Sequence, residues 1–366
     1  MIMNNAANRL PWIDGLRFLA AFMVLLSHSR NDFFVKYDQL DACEQGIGAF
    51  IFYTAGRLGP EAVWMFFIIS GFLVGGIGLE RIQRGTFRLK DYAVNRTVRI
   101  ALPLIGAIVF YGIVTLFTDA EWSWWRAIGN LLSLQCVFCE PLVSPFWSLS
   151  YEVWFYIVLF AVALAFSRHK KCGLLLFVVC CLIFTRLNAL YLLCWLMGAV
   201  AWLCRPKKGN RAVLAVAAVM MLVCLALSQM ASGSHAISIE TGIDRTVVTV
   251  LLCFSFCVIV QQATLLPPPR KDGSRNWAYK VDCGFSKMAD FSYTLYLTHR
   301  IVFLVVFQYI FAKNMATLCF KDIACYIALL VSTLIIAYGI YLVSERHTAR
   351  VRRFVKARII GKINVK

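Results

Sequence analysis

Arg17 and His28 lie in one hydrophobic stretch, Pro11–Ser29, that otherwise has the composition of a membrane-spanning helix. A cation and an imidazole are costly in hydrocarbon, so at such positions they are read as functional groups. Their separation, at about 100° per residue, comes to roughly 1100° and falls within about 20° of three full turns. Both side chains therefore share one helix face, about 16.5 Å apart along the axis. A fixed cation near one membrane surface and a titratable imidazole near the other suit a helix that grips an anion at one end and moves a proton at the other.

Other charged or titratable residues fall inside hydrophobic runs or at their ends. Arg96 and Arg99 stand one turn apart where a later run begins, so they can face one anion together, and guanidinium forks suit phosphate. The positive-inside rule alone also places arginines at such a helix end. Glu152 lies about 9 Å below the outer end of its run, and His28 about 6 Å from the outer side of a roughly 30 Å core. These depths agree, so Glu152 is expected either to orient or charge-couple to His28, or to hydrogen-bond a neighbouring helix. His299, near mid-bilayer, is expected to line a pocket.

The elements that must position these groups follow from composition. The 366 residues are 60% hydrophobic and 15% charged, where a soluble protein carries about 25% charged residues. Apolar runs recur at 12–29, 60–79, 100–118, 146–166, 172–186, 190–204, 212–231, 246–264, 289–312 and 322–343. The expected fold is an all-α integral membrane bundle of about ten transmembrane helices. With the N-terminus in the cytoplasm, roughly three in four of the 37 Lys and Arg residues fall on the inside, which places both termini there. The net charge of +18 sits between hydrophobic runs rather than along a soluble face, which argues against nucleic-acid binding.

One membrane domain over 1–366 is expected, with a basic cytoplasmic tail over 345–366 and no internal repeat. The first run is long, contains Arg17 and lacks a small-residue cleavage site, so it is expected to span rather than act as a cleaved signal. Pro267–Gly273 makes a stiff-then-flexible cytoplasmic connector. Most of the 14 cysteines fall in spans, where Cys behaves as a small hydrophobe. Cys136 and Cys139 lie in an outside loop that permits a disulfide. A zinc site there would need two more ligands, with only Cys43 and distant His235 on offer, so no metal is expected. Trp122, Trp124 and Trp125 read as an interfacial belt, with sugar stacking as the other option.

Five blocks in register resemble the acyltransferase-3 family of membrane proteins. They are Trp12-Ile13-Asp14-Gly15-Leu16-Arg17-Phe18-Leu19-Ala20-Ala21 running on to His28, then Phe66–Leu73, then Asn95-Arg96-Thr97-Val98-Arg99-Ile100 with Pro103. Phe146-Trp147-Ser148-Leu149-Ser150-Tyr151-Glu152 and Phe291–His299, which includes Tyr296, complete the set. Many members carry Asp two residues before the Phe66-Phe67 pair; this chain has Trp64, which removes a carboxylate near the outer mouth and blurs the acceptor.

The resemblance implies an integral O-acyltransferase of the inner membrane that takes an acyl group, usually acetyl, from cytoplasmic acyl-CoA. The group passes to a hydroxyl of an extracytoplasmic glycan or polyprenyl-linked saccharide, with no tightly bound cofactor. In that reading Arg17, Arg96 and Arg99 hold the donor, His28 and Glu152 are catalytic, and Tyr296 and His299 line the substrate pocket. An extended pantetheine arm is about as long as the Arg17-to-His28 spacing. No G-x-S-x-G-type nucleophile is present, so direct transfer is preferred to an acyl-serine intermediate. The competing reading is a flippase for a lipid-linked saccharide, with His28, Glu152 and His299 as a proton relay. The missing repeat and the lack of paired broken helices weigh against it.

Reporter fusions at either end are expected to report the cytoplasm. A terminus found outside reverses the topology and the depth assignments with it.

Overall fold

The computed structural model describes residues 11–231, 244–265, 284 and 287–359. Every regular element among them is helical, and the strand-like pairings are two isolated bridges, Phe34 with Ala316 and Gln135 with Cys139. The helices are α1 (Pro11–Phe33), α2 (Ile47–Ala55), α3 (Gly59–Ser70), α4 (Ile77–Gln83), α5 (Leu89–Thr115), α6 (Trp124–Leu131), α7 (Trp147–Ala165) and α8 (Lys170–Phe184). They continue as α9 (Ala189–Leu203), α10 (Arg211–Ala231), α11 (Arg245–Leu265), α12 (Ser292–Tyr309), α13 (Phe320–Val343) and α14 (Thr348–Ile359). The Pro267–Gly273 connector and His235 lie outside the described residues.

Each expected span falls on a helix, α3 and α4 sharing one. Six helical stretches among the described residues are long and apolar enough to cross a membrane. The remainder fall short for visible reasons. Helices α8 and α9 have 15 residues each, about 22 Å of helix against a roughly 30 Å hydrocarbon core. Asp14, Arg17 and Arg30 interrupt α1, and Arg300 interrupts α12.

Helix α1 is the centre of the bundle. Its apolar side chains join all three cores: Ala20 and Val24 one, Phe18, Ala21, Leu25 and Phe33 a second, and Ile13 the third. A helix that is apolar on several faces is buried on several faces. The outer surface is apolar as well. Ile105, Val109 and Ile113 of α5, Leu175 and Leu182 of α8, and Val216 and Val219 of α10 are exposed, as side chains facing lipid would be.

Helices α3 and α4 are joined by a π-helical stretch, Gly71–Gly76. A π-turn adds a residue to the helix, and such turns gather at functional sites. Here the glycines let α9 approach to backbone contact, as small residues do between helices in membranes. A Cβ at Gly71 would lie 1.9 Å from the Trp195 carbonyl oxygen, and one at Gly198 2.3 Å from that of Ile68.

Two expectations gain detail. The described part of the basic tail is tied to the bundle. Glu345 accepts from the Thr294 backbone N–H at 3.1 Å and its hydroxyl at 2.6 Å, and Lys356 of α14 pairs with Asp91 of α5 at 2.7 Å. Trp124 and Trp125 are 71% and 66% exposed, as a belt requires, but Trp122 turns inward against Tyr111.

Gly71→Ala or Gly198→Ala should force α3 and α9 apart, at a cost of about 1–3 kcal/mol or more. Thermal unfolding of the purified protein should move down accordingly. Gly48→Ala, where a Cβ meets open space, should leave it unchanged or slightly raised.

Candidate active site

Three cavities run in series through the bundle. A mouth cavity of about 340 Å³ lies on the face read as cytoplasmic and is bordered by Arg81, Arg88, Asn95 and Lys356. It shares Leu73, Val74 and Arg96 with an arginine cavity of about 200 Å³. That cavity shares Val63 and Tyr296 with a histidine cavity of about 610 Å³ on the opposite face.

The arginine cavity gathers Arg17 from α1, Arg96 and Arg99 from α5, and Glu152 from α7. Helix α5 begins at Leu89, so both of its arginines sit inside a 27-residue helix rather than at its end. Three guanidiniums and one carboxylate line this cavity, and Asp14 pairs with Arg17 at 4.0 Å from the preceding turn of α1. The Arg96 guanidinium lies 5.5 Å from the Tyr156 ring centroid, and the Tyr156 hydroxyl donates to Glu152. Two polar atoms here are buried without a partner, Arg96 Nε and the Tyr293 hydroxyl. Orphaned polar atoms beside an open volume point to a polar ligand that would complete them.

Glu152 is therefore not beside His28. It lies in the arginine cavity, whereas His28 lines the histidine cavity. Equal depth on two helices fixes no lateral position, and Tyr156 one turn along α7 takes the carboxylate instead. Tyr296 does line both cavities and shares a hydrogen bond with Ser148 at 2.7 Å.

His299 is fully buried and borders none of the three cavities. It stands behind His28, its Nε2 2.8 Å from His28 Nδ1. Its other nitrogen, Nδ1, is 3.1 Å from the Leu295 carbonyl. A carbonyl only accepts, so in a neutral pair His299 Nδ1 carries the proton and its Nε2 accepts from His28 Nδ1–H. This leaves the lone pair on His28 Nε2. Orientation of an imidazole through its second nitrogen is the logic of triad-type sites. One turn past His28, Asp32 pairs with Arg300 beside His299, clamping α1 to α12 at this level.

The histidine cavity contains residues the sequence reading did not select. Buried Arg30 and Glu61 line it with Tyr53, Gln229, Trp147 and Tyr191. Arg30 follows His28 by two residues, and Glu61 opens α3. A charge at the end of a hydrophobic run is the signal that would have found both. Trp64 stacks on Tyr191 with centroids 4.2 Å apart, so the residue that departs from the family pattern backs the cavity's aromatic wall. Glu61 puts a buried carboxylate one turn earlier.

Cys136 and Cys139 are unbridged and sit in a tight turn closed by Cys136 N–H to the Cys139 carbonyl at 2.9 Å. Burial pushes both thiols above the ordinary value, which opposes the thiolate a metal needs. Among the described residues no group of His, Cys, Asp and Glu is arranged to hold a metal ion.

The family profile described as an acyltransferase domain matches residues 10–342, and the chain belongs to that acyltransferase-3 family. Its apolar helices are those of a multipass membrane protein. It is 27% identical over 155 residues to acyltransferase MdmB of Streptomyces mycarofaciens, an alignment covering 41% of this chain and 38% of that relative. No solved structure matches.

Tyr293→Phe removes a buried hydroxyl that has no partner, so it should leave the unfolding temperature unchanged or raise it. Tyr296→Phe breaks the bond to Ser148 and should cost about 1 kcal/mol. Thermal denaturation of the two variants side by side tests this.

Proposed function

We propose that this chain transfers an acyl group, acetyl in the simplest case, from cytoplasmic acyl-CoA to a hydroxyl of a glycan or polyprenyl-linked saccharide on the other side of the inner membrane. The observation that carries the reading is the series of cavities with arginines at one end and the paired imidazoles at the other. Arg17, Arg96 and Arg99 would bind the donor's phosphates, helped by the Tyr293 hydroxyl. The pantetheine arm would pass Val63 and Tyr296 and bring the thioester towards His28.

The acceptor oxygen then attacks the thioester carbonyl carbon while His28 Nε2 takes its proton. As the carbon–sulfur bond breaks, the leaving thiolate receives that proton from the imidazolium, and neutral His28 is restored. His299 is a positioning residue, holding the proton on His28 Nδ1 so that Nε2 is free. Glu152, with Tyr156, organises the arginine cavity instead of coupling to His28.

The flippase reading requires a relay through His28, Glu152 and His299. Only the two histidines touch; Glu152 is hydrogen-bonded to Tyr156 in another cavity, which favours the enzyme.

Loss of a general base removes about 10²- to 10⁴-fold in rate. His28→Gln should still bind acyl-CoA and transfer the acyl group slower by that factor, measured with purified protein. Arg17→Ala, Arg96→Ala and Arg99→Ala should weaken acyl-CoA binding. Near-normal turnover in His28→Gln would reduce the residue to packing, and unchanged donor affinity in all three arginine variants would remove the donor site.

A further inference from the structure

The face read as extracytoplasmic holds few Lys and Arg, as the positive-inside rule requires. Four of them nevertheless converge on one cavity. Arg30, Lys36, Arg57 and Arg245 line the histidine cavity against two carboxylates, Asp38 and Glu61. They come from three separated parts of the chain: the end of α1 with the segment after it, the α2–α3 turn and the start of α11. Topology alone does not require such a gathering, and it opposes the trend of the rest of that surface.

Arg30 is the sharpest of the four. It is 8% exposed, its Nε is buried without a hydrogen-bond partner, and it makes no ion pair among the described residues. Its guanidinium carbon lies 5.2 Å from the Tyr53 ring centroid, which supports a cation without neutralising it. Room for the side chain is made by Gly56, where a Cβ would come within 3.1 Å of both Arg30 Cγ and Nε. A buried arginine with no counter-charge is costly unless something else supplies the charge.

The other lining groups suit a sugar. Trp147 and Tyr191 offer aromatic faces. Glu61 Oε2 and Gln229 Oε1 are buried acceptors without a donor, and sugar hydroxyls are donors. Ser228 and Gln229 already hold the other Glu61 oxygen, at 2.9 and 3.4 Å, so the carboxylate is oriented with one oxygen free.

We propose that the histidine cavity is the acceptor site and that its ligand is an anionic saccharide, with a phosphate or carboxylate held by Arg30, Arg57 and Arg245. Glu61 and Gln229 take its hydroxyls, and one further hydroxyl reaches His28. The proposal rests on the acyltransferase reading and deepens it by naming the charge of the acceptor.

The test uses the full chain in nanodiscs of phosphatidylcholine. Binding of glucose 1-phosphate, glucuronate and glucose is measured by equilibrium dialysis at low and high salt, with acyl-CoA binding followed in the same samples. The charged sugars should bind at least tenfold more tightly than glucose, and the preference should shrink with added salt. Tighter binding of glucose 1-phosphate assigns the charge to a phosphate, as in a lipid-phosphate carrier; tighter binding of glucuronate assigns it to a uronate. Arg30→Gln and, independently, Arg245→Gln should each reduce the preference several-fold, with acyl-CoA binding reporting that the variant is folded. Arg245 is exposed, so its variant reads the site even where Arg30→Gln fails to fold. Glucose binding as tightly as its charged relatives, or a preference unchanged in both variants, overturns the proposal. In that event acyl-CoA binding and transfer to a neutral sugar would still stand, whereas loss of acyl-CoA binding in the unaltered chain would remove the acyltransferase reading itself.

Discussion

A helix carrying Arg17, His28 and Arg30 is buried on several sides by apolar neighbours, and the rest of the structure answers that problem. Charges and imidazoles inside a hydrocarbon-facing bundle are tolerated only where they line cavities or meet partners. Arg17 opens into the arginine cavity, His28 leans on His299, and Asp32 meets Arg300. The three cores sit around α1 and hold these groups at set heights. Its role is architectural and chemical at once, because moving α1 would displace both ends of the candidate site together.

Beside the cavities, backbones come unusually close. Contact between the Gly71–Gly76 turn and α9 draws those two segments together. The same stretch places Leu73 and Val74 on the arginine cavity, next to Ser70 at the end of α3. Without a hydrophobic force between helices in lipid, such close packing is a main source of association. The π-turn also shifts the register of α4 relative to α3, so residues before and after it face different neighbours. Short α8 and α9 belong to the same arrangement. Gly173 packs on the α7 backbone, and α9 spends its small face on the π-turn.

Polar groups are sorted by height. The three guanidiniums of the arginine cavity line it with one carboxylate, Glu152, which is held by a tyrosine of its own helix, while Arg17 also pairs with Asp14. The imidazole pair is held by a backbone carbonyl and contains no carboxylate. A carboxylate bonded to His28 would raise the basicity of the ring and hold a proton on it; the His299 ring fixes the tautomer without adding charge. Between the two levels stand Tyr296 and Val63, bordering both cavities.

Much of this was legible in the sequence. The hydropathy pattern located the long helices, because apolar runs of span length have few alternatives in lipid. The cost of burying charge singled out Arg17, His28, Glu152 and His299, and the three-turn spacing put Arg17 and His28 on one side of α1. Helical periodicity, however, relates residues only along their own helix. Which neighbour each face meets was decided by packing between segments far apart in the chain. His28 and His299 are 271 residues apart, and nothing local pairs them. Glu152 and His28 agree in depth yet lie in different cavities, since depth follows from counting residues while lateral position follows from how helices pack. Arg30 and Glu61 stand at the ends of hydrophobic runs, and only the fold closes them into one volume. The sequence determined which groups must be buried; tertiary packing, acting through glycine contacts and a π-turn that hydropathy does not register, decided what each of them faces.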